Sequence, residues 1–460
     1  MGIETPIDEL HFDDAPNVET SIPGPKSKRL LERQEALDSN AVAYPKDVPI
    51  ALSEAKGATI RDADGNAFLD FFAGIGVLNV GHSNPYVLDA VNDQMDELVH
   101  SIDFPTEARI DLLEKLDEIA PPGLRGQNKV IFGGPTGSDA IEGAIKLAKH
   151  NTGRRALLAF EGSYHGTTAG ALSLTAGKQF KEGYTPLLPD AVHVPYPHPA
   201  WDGLDPDASV DRALDLVQRK FEDPYGGTES PAAIFVEPIQ GEGGVVVPPE
   251  GFLAGLRDIA DDNEAMLIFD EIQAGFGRTG EWWGSEHYGV TPDAMTMAKA
   301  IGGVGLPLGA MMYHETFDTW DAGGHVGTFR GNAPAMVGGV RAAEYIQEHD
   351  LLDHATELGE YIRGRLREAD HPNLAEVRGR GLFVGAEFLT ADGAGDKESV
   401  RAIRKECYER GVLTWKAGRN GNVLRLLPPL VMTRDQAKEG LGVVVDAIEG
   451  QAEQVAAADD

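Results

Sequence analysis

The sequence predicts an α/β protein: a large domain around a mainly parallel central sheet, followed by a smaller α+β domain. Two observations carry this. Between residues 129 and 298 short apolar runs alternate with helical or loop segments, the pattern of parallel strands joined by right-handed crossovers. From about residue 336 the chain restarts with a helix and then mixes short strands with helices. The 460 residues, 42% of them hydrophobic, are too many for one small domain and enough for a sizeable core.

The elements follow in chain order. Residues 1–57 read as an N-terminal arm and part of the small domain, with a helical patch around Leu30–Leu37 behind the Pro- and Gly-rich SIPGPKS. ATIRDADGNAFLDFFAG reads as two short strands joined by an Asp64-Gly65 turn. PYVLDAVNDQMDELVH carries apolar residues at helical spacing. KVIF is a strand, and SDAIEGAIKLAKH is a helix with Ala140, Ile141, Ala144, Ile145 and Ala148 on one face. RALLAF, AAIFVEPI, AMLIFDEI and AMTMA follow as strands, which places the large domain at 58–335. The small domain, 336–460, begins within AMVGGVRAAEYIQEH and continues through LFVGAEF, ESVRAIRKECYERG, GNVLRLLPPL and a final helix.

Charge narrows the partners. Forty Lys and Arg stand against 74 Asp and Glu, a formal net charge of −34. Such a surface repels nucleic acid and anionic membranes, so neither is an expected partner. The acids are spread along the whole chain rather than gathered in a tail, which points to a salt-adapted surface that loses stability at low salt. Cys407 is the single cysteine, which excludes an internal disulfide and cysteine-based metal sites. The polar, acidic start shows no apolar signal core, no run of about 18 apolar residues occurs, and Pro6 stands where N-myristoylation needs Ser or Thr. The expected location is therefore the cytoplasm.

Several segments carry chemistry. FGGPTGSDAIEGAIK lies between a strand and a helix, where free N–H groups and the helix dipole favour an anion; Gly137 allows close backbone approach and Ser138 adds a hydroxyl. A capped helix entry reads the same way. In EGSYHGTTAG, Tyr164 and His165 follow a strand, and a flat aromatic there can stack on a planar ring or simply fill a loop. AAIFVEPIQGEGG ends a strand with Glu237, Gln240 and Glu242, at the carboxyl edge where open α/β sheets place ligands; a metal site is the competing reading. GHVGTFRGN adds a second Gly/Thr anion motif.

Asp270 closes the apolar strand LIFD, and Lys299 follows 29 positions later in the small-residue loop AKAIGG. A lysine in so apolar a run is partly buried, which lowers its pKa and favours bond formation with an aldehyde. A carboxylate paired with such a lysine is what pyridoxal phosphate needs: one group keeps the ring nitrogen protonated and the other tethers the aldehyde. LIFDEIQ also matches a Walker B strand of a nucleotide hydrolase, with Asp270 and Glu271 serving Mg²⁺. That reading needs a G-x-x-x-x-G-K-S/T loop, and the only Gly-Lys pair, Gly177-Lys178, is followed by Gln179.

Taken in order over roughly residues 40–450, these motifs resemble the class III aminotransferases, pyridoxal-phosphate enzymes of fold type I. The resemblance implies that Lys299 carries the cofactor and that Asp270 pairs with its pyridinium. It further implies that Gln273 bonds the ring oxygen, Tyr164 stacks on the ring, and Gly137 and Ser138 hold the phosphate. His165 and Glu237 join this cofactor-binding set. Thr328 would reach the phosphate of a partner subunit, making a homodimer with shared active sites. Glu242 resembles the family's gate residue and Arg425 its partner, which binds the substrate α-carboxylate. FFAGIGVLNVGH resembles the segment lining the substrate pocket, placing Ile75 there.

Members acting on 4-aminobutyrate or ornithine commonly carry Arg after the His-Gly pair; here that position is Thr167, whose neutral hydroxyl cannot clamp a distal carboxylate. GPTGSDA is similar to diaminobutyrate-type transaminases and to archaeal amino-acid racemases on the same scaffold. The resemblance thus implies transfer from an ω-amino acid or amine donor to a 2-oxo acid, with racemisation or epimerisation as the alternative.

Overall fold

The computed structural model describes residues 3, 5–188 and 190–459. In chain order its strands are β1 (Leu52–Lys56), β2 (Thr59–Asp62), β3 (Ala67–Asp70), β4 (Asn128–Gly134), β5 (Leu157–Phe160), β6 (Ala191–Val194), β7 (Ala233–Val236) and β8 (Met266–Asp270). They continue with β9 (Ala294–Met297), β10 (Gly309–His314), β11 (Leu374–Arg380), β12 (Phe383–Phe388), β13 (Val412–Leu413), β14 (Trp415–Ala417) and β15 (Val423–Leu426).

The central sheet has seven strands in the order β4-β10-β9-β8-β7-β5-β6. Strands β6, β5, β7, β8 and β9 run parallel, and β10 is antiparallel to both β9 and β4. The reason is connectivity. Parallel neighbours need a crossover of a dozen or more residues, whereas β9 and β10 are joined by the short Lys299 loop, so the chain must reverse. β7, β8 and β9 are buried along their whole length, so they read as continuous apolar runs without alternation. Fully burying each of Leu267, Ile268 and Phe269 in β8 contributes about 1.5–3 kcal/mol.

This core brings the carboxyl ends of β5, β7, β8 and β9 to one edge, from which Tyr164, Glu237, Asp270 and Lys299 emerge. The helix Gly137–Thr152 starts at the same edge. Thr136 opens it: its N–H and hydroxyl both donate to Asp139 Oδ2, at 2.9 and 2.7 Å. Gly153, in the left-handed region at φ 69°, closes it.

Two smaller sheets flank the core. One, β11-β12-β15-β14, is packed by the helices Leu351–Arg367 and Lys397–Glu409. The other, β1-β2-β3-β13, joins strands from both sides of residue 57 to a strand from beyond residue 410, with β13 parallel to β3. Among the described residues no helix is long and apolar enough to cross a membrane.

Candidate active site

At the carboxyl edge of the sheet lies a cavity of about 370 Å³ lined by both Lys299 and Asp270. Lys299 sits at the start of the β9–β10 loop with φ +50°, a left-handed conformation uncommon for a residue with a side chain. Burial pushes its amine down to about 8, with the Glu242 carboxylate resisting and the Arg425 guanidinium assisting. Asp270, at the end of β8, is buried. His165 Nδ1 donates to its Oδ2 at 2.7 Å, while Ile272 N and Thr296 Oγ1 donate to Oδ1 at 3.1 and 3.3 Å. Burial opposes a charge on His165, but the hydrogen bond and charge of Asp270 prevail and raise its pKa. The carboxylate is therefore oriented by three donors, with a buried imidazole behind it.

The opposite wall is the start of the helix Gly137–Thr152. Pro135, Thr136, Gly137 and Ser138 line the cavity, and the first N–H groups of a helix have no intrahelical partners. Packing there is tight. A Cβ on Gly137 would come within 2.8 Å of Ile272, and one on Gly166, at φ +117°, within 2.1 Å of Ser138 Oγ. Ser138 Oγ also accepts from Thr167 N at 3.3 Å. Tyr164 forms a side wall, its ring edge-on to Phe180 at 5.1 Å. Glu237 ties this wall to the next loop: Oε1 accepts from Tyr164 N at 2.9 Å and Oε2 from Gly241 N at 2.8 Å. Burial raises its pKa to about 7.

Glu242 and Gln273 also line the cavity, and both contact Arg425. Arg425 is fully buried on β15; its Nη1 donates to Glu242 Oε1 at 2.7 Å and to Gln273 Oε1 at 3.3 Å. Its Nε and Nη2 are buried with no hydrogen-bond partner among the described residues. Burial works against charge on Glu242, but the charge and hydrogen bond of Arg425 hold its pKa below the ordinary range. A buried guanidinium with unused donor groups has the chemistry to accept a carboxylate.

Nine residues singled out in the sequence thus meet in one cavity: Gly137, Ser138, Tyr164, His165, Glu237, Glu242, Asp270, Gln273 and Lys299. Arg425 stands directly behind it. Thr167 is exposed at its margin. Ile75 lines a neighbouring apolar hollow with Tyr44, Phe72 and Trp415, and Val77 lines the Lys299 cavity. Thr328 is exposed and does not line the cavity of its own chain. Sequence reasoning passed over Thr296, Pro135 and the Leu306–Leu308 wall. Thr296 is the register partner of Asp270 across β8 and β9, a relation visible only once the strands pair.

The Walker B reading fails on geometry: Glu271 is buried and accepts from Gly284 N and Ser285 N, both at 2.8 Å. A metal at Glu237 and Glu242 is likewise disfavoured, because both carboxylates are engaged by backbone N–H groups or by Arg425.

The aminotransferase class-III family profile matches residues 41–448. A diaminobutyrate–2-oxoglutarate aminotransferase of Rhizobium meliloti is 38% identical over 435 residues, covering 91% of this chain and 92% of the relative. An alanine/serine racemase of Pyrococcus horikoshii is 36% identical, covering 96% and 94%. Among solved structures, a taurine:2-oxoglutarate aminotransferase of Bifidobacterium kashiwanohense in complex with PLP and glutamate matches with a TM-score of 0.84 and 26% identity, covering 93% and 98%.

Proposed function

The chain belongs to the class III aminotransferases, and from that premise we propose that it binds pyridoxal 5'-phosphate and moves an amino group from an ω-amino acid of the diaminobutyrate kind to a 2-oxo acid such as 2-oxoglutarate or pyruvate. The observation that carries this reading is Lys299 and Asp270 in one cavity whose far wall is a helix N-terminus. The residues fit the cofactor. Gly137 and Gly166 leave little room for a side chain, which suits backbone N–H groups closing in on a phosphate. Asp270, held by three donors, suits a pyridinium nitrogen, and the lowered pKa of Lys299 suits attachment to an aldehyde.

Pyridoxal phosphate, when bound, supplies an aldehyde that links to amines and a ring that accepts the electron pair of a broken Cα bond. Lys299 would tether it and, once displaced by the donor amine, carry the Cα proton on its Nζ. Asp270 would face the ring nitrogen, with His165 and Thr296 fixing the carboxylate. Tyr164 would cover the ring, Gln273 would bond its oxygen, and Gly137 and Ser138 would hold the phosphate. Thr328 is exposed beside Val326 and Phe329, both 67% exposed, which supports a homodimer in which Thr328 of the partner subunit completes that cradle. Arg425 would take the substrate α-carboxylate when Glu242 releases it. Thr167 offers a neutral hydroxyl at the margin, so Thr167→Arg should shift preference toward donors with a distal carboxylate; an unchanged acceptor and donor profile would count against this.

The racemase relative supports a second reading on the same residues, in which the proton returns to Cα and no oxo acid forms. An amino acid supplied without a 2-oxo acid, followed by optical rotation and oxo-acid assay, separates the two. Racemisation without oxo product rejects transamination. For the cofactor, borohydride reduction of the loaded protein followed by peptide mapping should label the Lys299 peptide; a label elsewhere, or none, overturns the assignment.

A further inference from the structure

Arg378 lies on β11, far from Lys299 in sequence, and is 7% exposed. Its guanidinium spans two groups. Nη2 donates to Gly244 O at 2.7 Å, and Nε donates to Gly244 O and Val245 O at 3.0 and 3.2 Å. Nη1 donates to Glu376 Oε2 at 2.7 Å and to Glu387 Oε2 at 2.5 Å. Glu387 is fixed in turn by Trp201 Nε1 and Asn422 Nδ2, each at 3.1 Å.

Gly244 and Val245 belong to the tight loop that carries Glu242. Gln240 and Val246 close its base by exchanging two backbone hydrogen bonds, at 3.0 and 2.9 Å. Within it Gly244 and Val245 have φ +119° and +54°, so the loop is held in a conformation unusual for a valine. The register explains how the loop is seated. Arg378 pairs with Gly385, and Gly385 pairs with Arg425, so the two arginines occupy one rung of the small-domain sheet with a glycine between them. Residues in register on neighbouring strands share a face. A Cβ on Gly385 would come within 3.1 Å of Val245 Cβ and 3.2 Å of Gly244 O, so the glycine is the floor on which the loop rests. On one side Arg378 grips the loop backbone. On the other, Arg425 pairs with the Glu242 side chain at 2.7 Å. Gly418 N adds a third hold, on Glu242 O at 2.9 Å.

We infer that Arg378 is a positioning residue for Glu242, and that through Glu242 it sets how readily Arg425 meets a substrate carboxylate; the inference rests on the carboxylate role proposed above for Arg425. With Arg378 in place the loop keeps Glu242 on Arg425, and a carboxylate must compete with it. Without Arg378 the loop loses three charge-assisted bonds, Glu242 is less well placed, and Arg425 is freer to bind an anion.

The test measures anion binding rather than turnover. Propanoate is titrated calorimetrically into the purified full-length protein, Arg378→Met, Glu242→Gln and the double variant. Arg378→Met should tighten propanoate binding about fivefold or more. In the Glu242→Gln background the same change should alter affinity by less than about twofold, because the group it acts through is gone. Gly385→Ala, which lifts the loop without removing a charge, provides a second route and should shift affinity in the same direction. Unchanged affinity in both Arg378→Met and Gly385→Ala, or an equal gain surviving in Glu242→Gln, overturns the inference. If Glu242→Gln itself binds no propanoate, the Arg425 assignment fails and takes this inference with it.

Discussion

Lys299 is the residue on which the proposed chemistry turns, and its environment gives it a measurable signature. Attachment to an aldehyde needs the neutral amine, and burial lowers its pKa from the ordinary 10.5 to about 8. The sign is direct: below that value the amine is protonated and unreactive, above it the neutral form prevails. The rate at which pyridoxal phosphate attaches, followed by absorbance, should therefore rise with pH around a midpoint near 8; a midpoint near 10.5 would show an exposed lysine. Lys299→Ala should abolish turnover. Asp270→Asn keeps the shape but removes the charge facing the proposed ring nitrogen, and should lower turnover by at least about 100-fold. Near-normal activity would remove Asp270 from its role. These two residues were legible in the chain because their flanks are locally odd: an apolar strand that ends in a carboxylate, and a lysine among alanines and glycines. Thr296 and Arg378 were not. The first acts only once β9 lies beside β8, and the second grips carbonyls more than 130 positions away.

At the scale of elements, the site is made where strands stop. The parallel strands deliver their carboxyl ends to one edge, and the helix Gly137–Thr152 brings its N-terminus to the same edge. The contact between that helix and the Tyr164 loop depends on Gly166. Gly166→Ala would force a left-handed alanine, at a cost of roughly 1–2 kcal/mol, and drive a methyl group into Ser138 Oγ. The proposed phosphate cradle should open and the affinity for pyridoxal phosphate should fall; an unchanged dissociation constant by fluorescence titration would show that the cradle does not depend on this contact. The helix and the buried parallel strands were readable from period and apolar runs. β10 is harder to read because GAMMYH has no β-branched residue and follows a loop rich in Gly, and β6 because AVHV is short and lies beyond an irregular stretch. The antiparallel direction of β10 follows from the length of the Lys299 loop, which the sequence does show, but only a sheet gives that length its meaning.

The whole molecule carries a net charge of −34, and this sets its response to salt. At about 0.1 M salt the screening length is about 10 Å and the spread carboxylates repel; near 1 M it is about 3 Å and they do not. The thermal midpoint should therefore fall as KCl is lowered through that range. A midpoint that holds or rises would reject a salt-adapted surface. The exposed apolar side chains of Ile102, Phe104, Val326 and Phe329 lie in segments that meet around Thr328 and Gly331, and they support the proposed homodimer. Sedimentation at high salt should give twice the mass of the 49.3 kDa chain, and a monomer would remove Thr328 from the cradle.

By itself the chain determined its fold class and marked Lys299, Asp270 and the Gly137 helix start as candidates for one site, because each is written in local spacing and local polarity. Tertiary structure alone decided that β10 runs backwards, that Thr296 braces Asp270, and that Arg378 and Arg425 share one rung beneath the Glu242 loop. The physical reason is range: periodicity and flanking residues act over a few positions, whereas a register or a hydrogen bond between distant segments exists only after the core has brought them together.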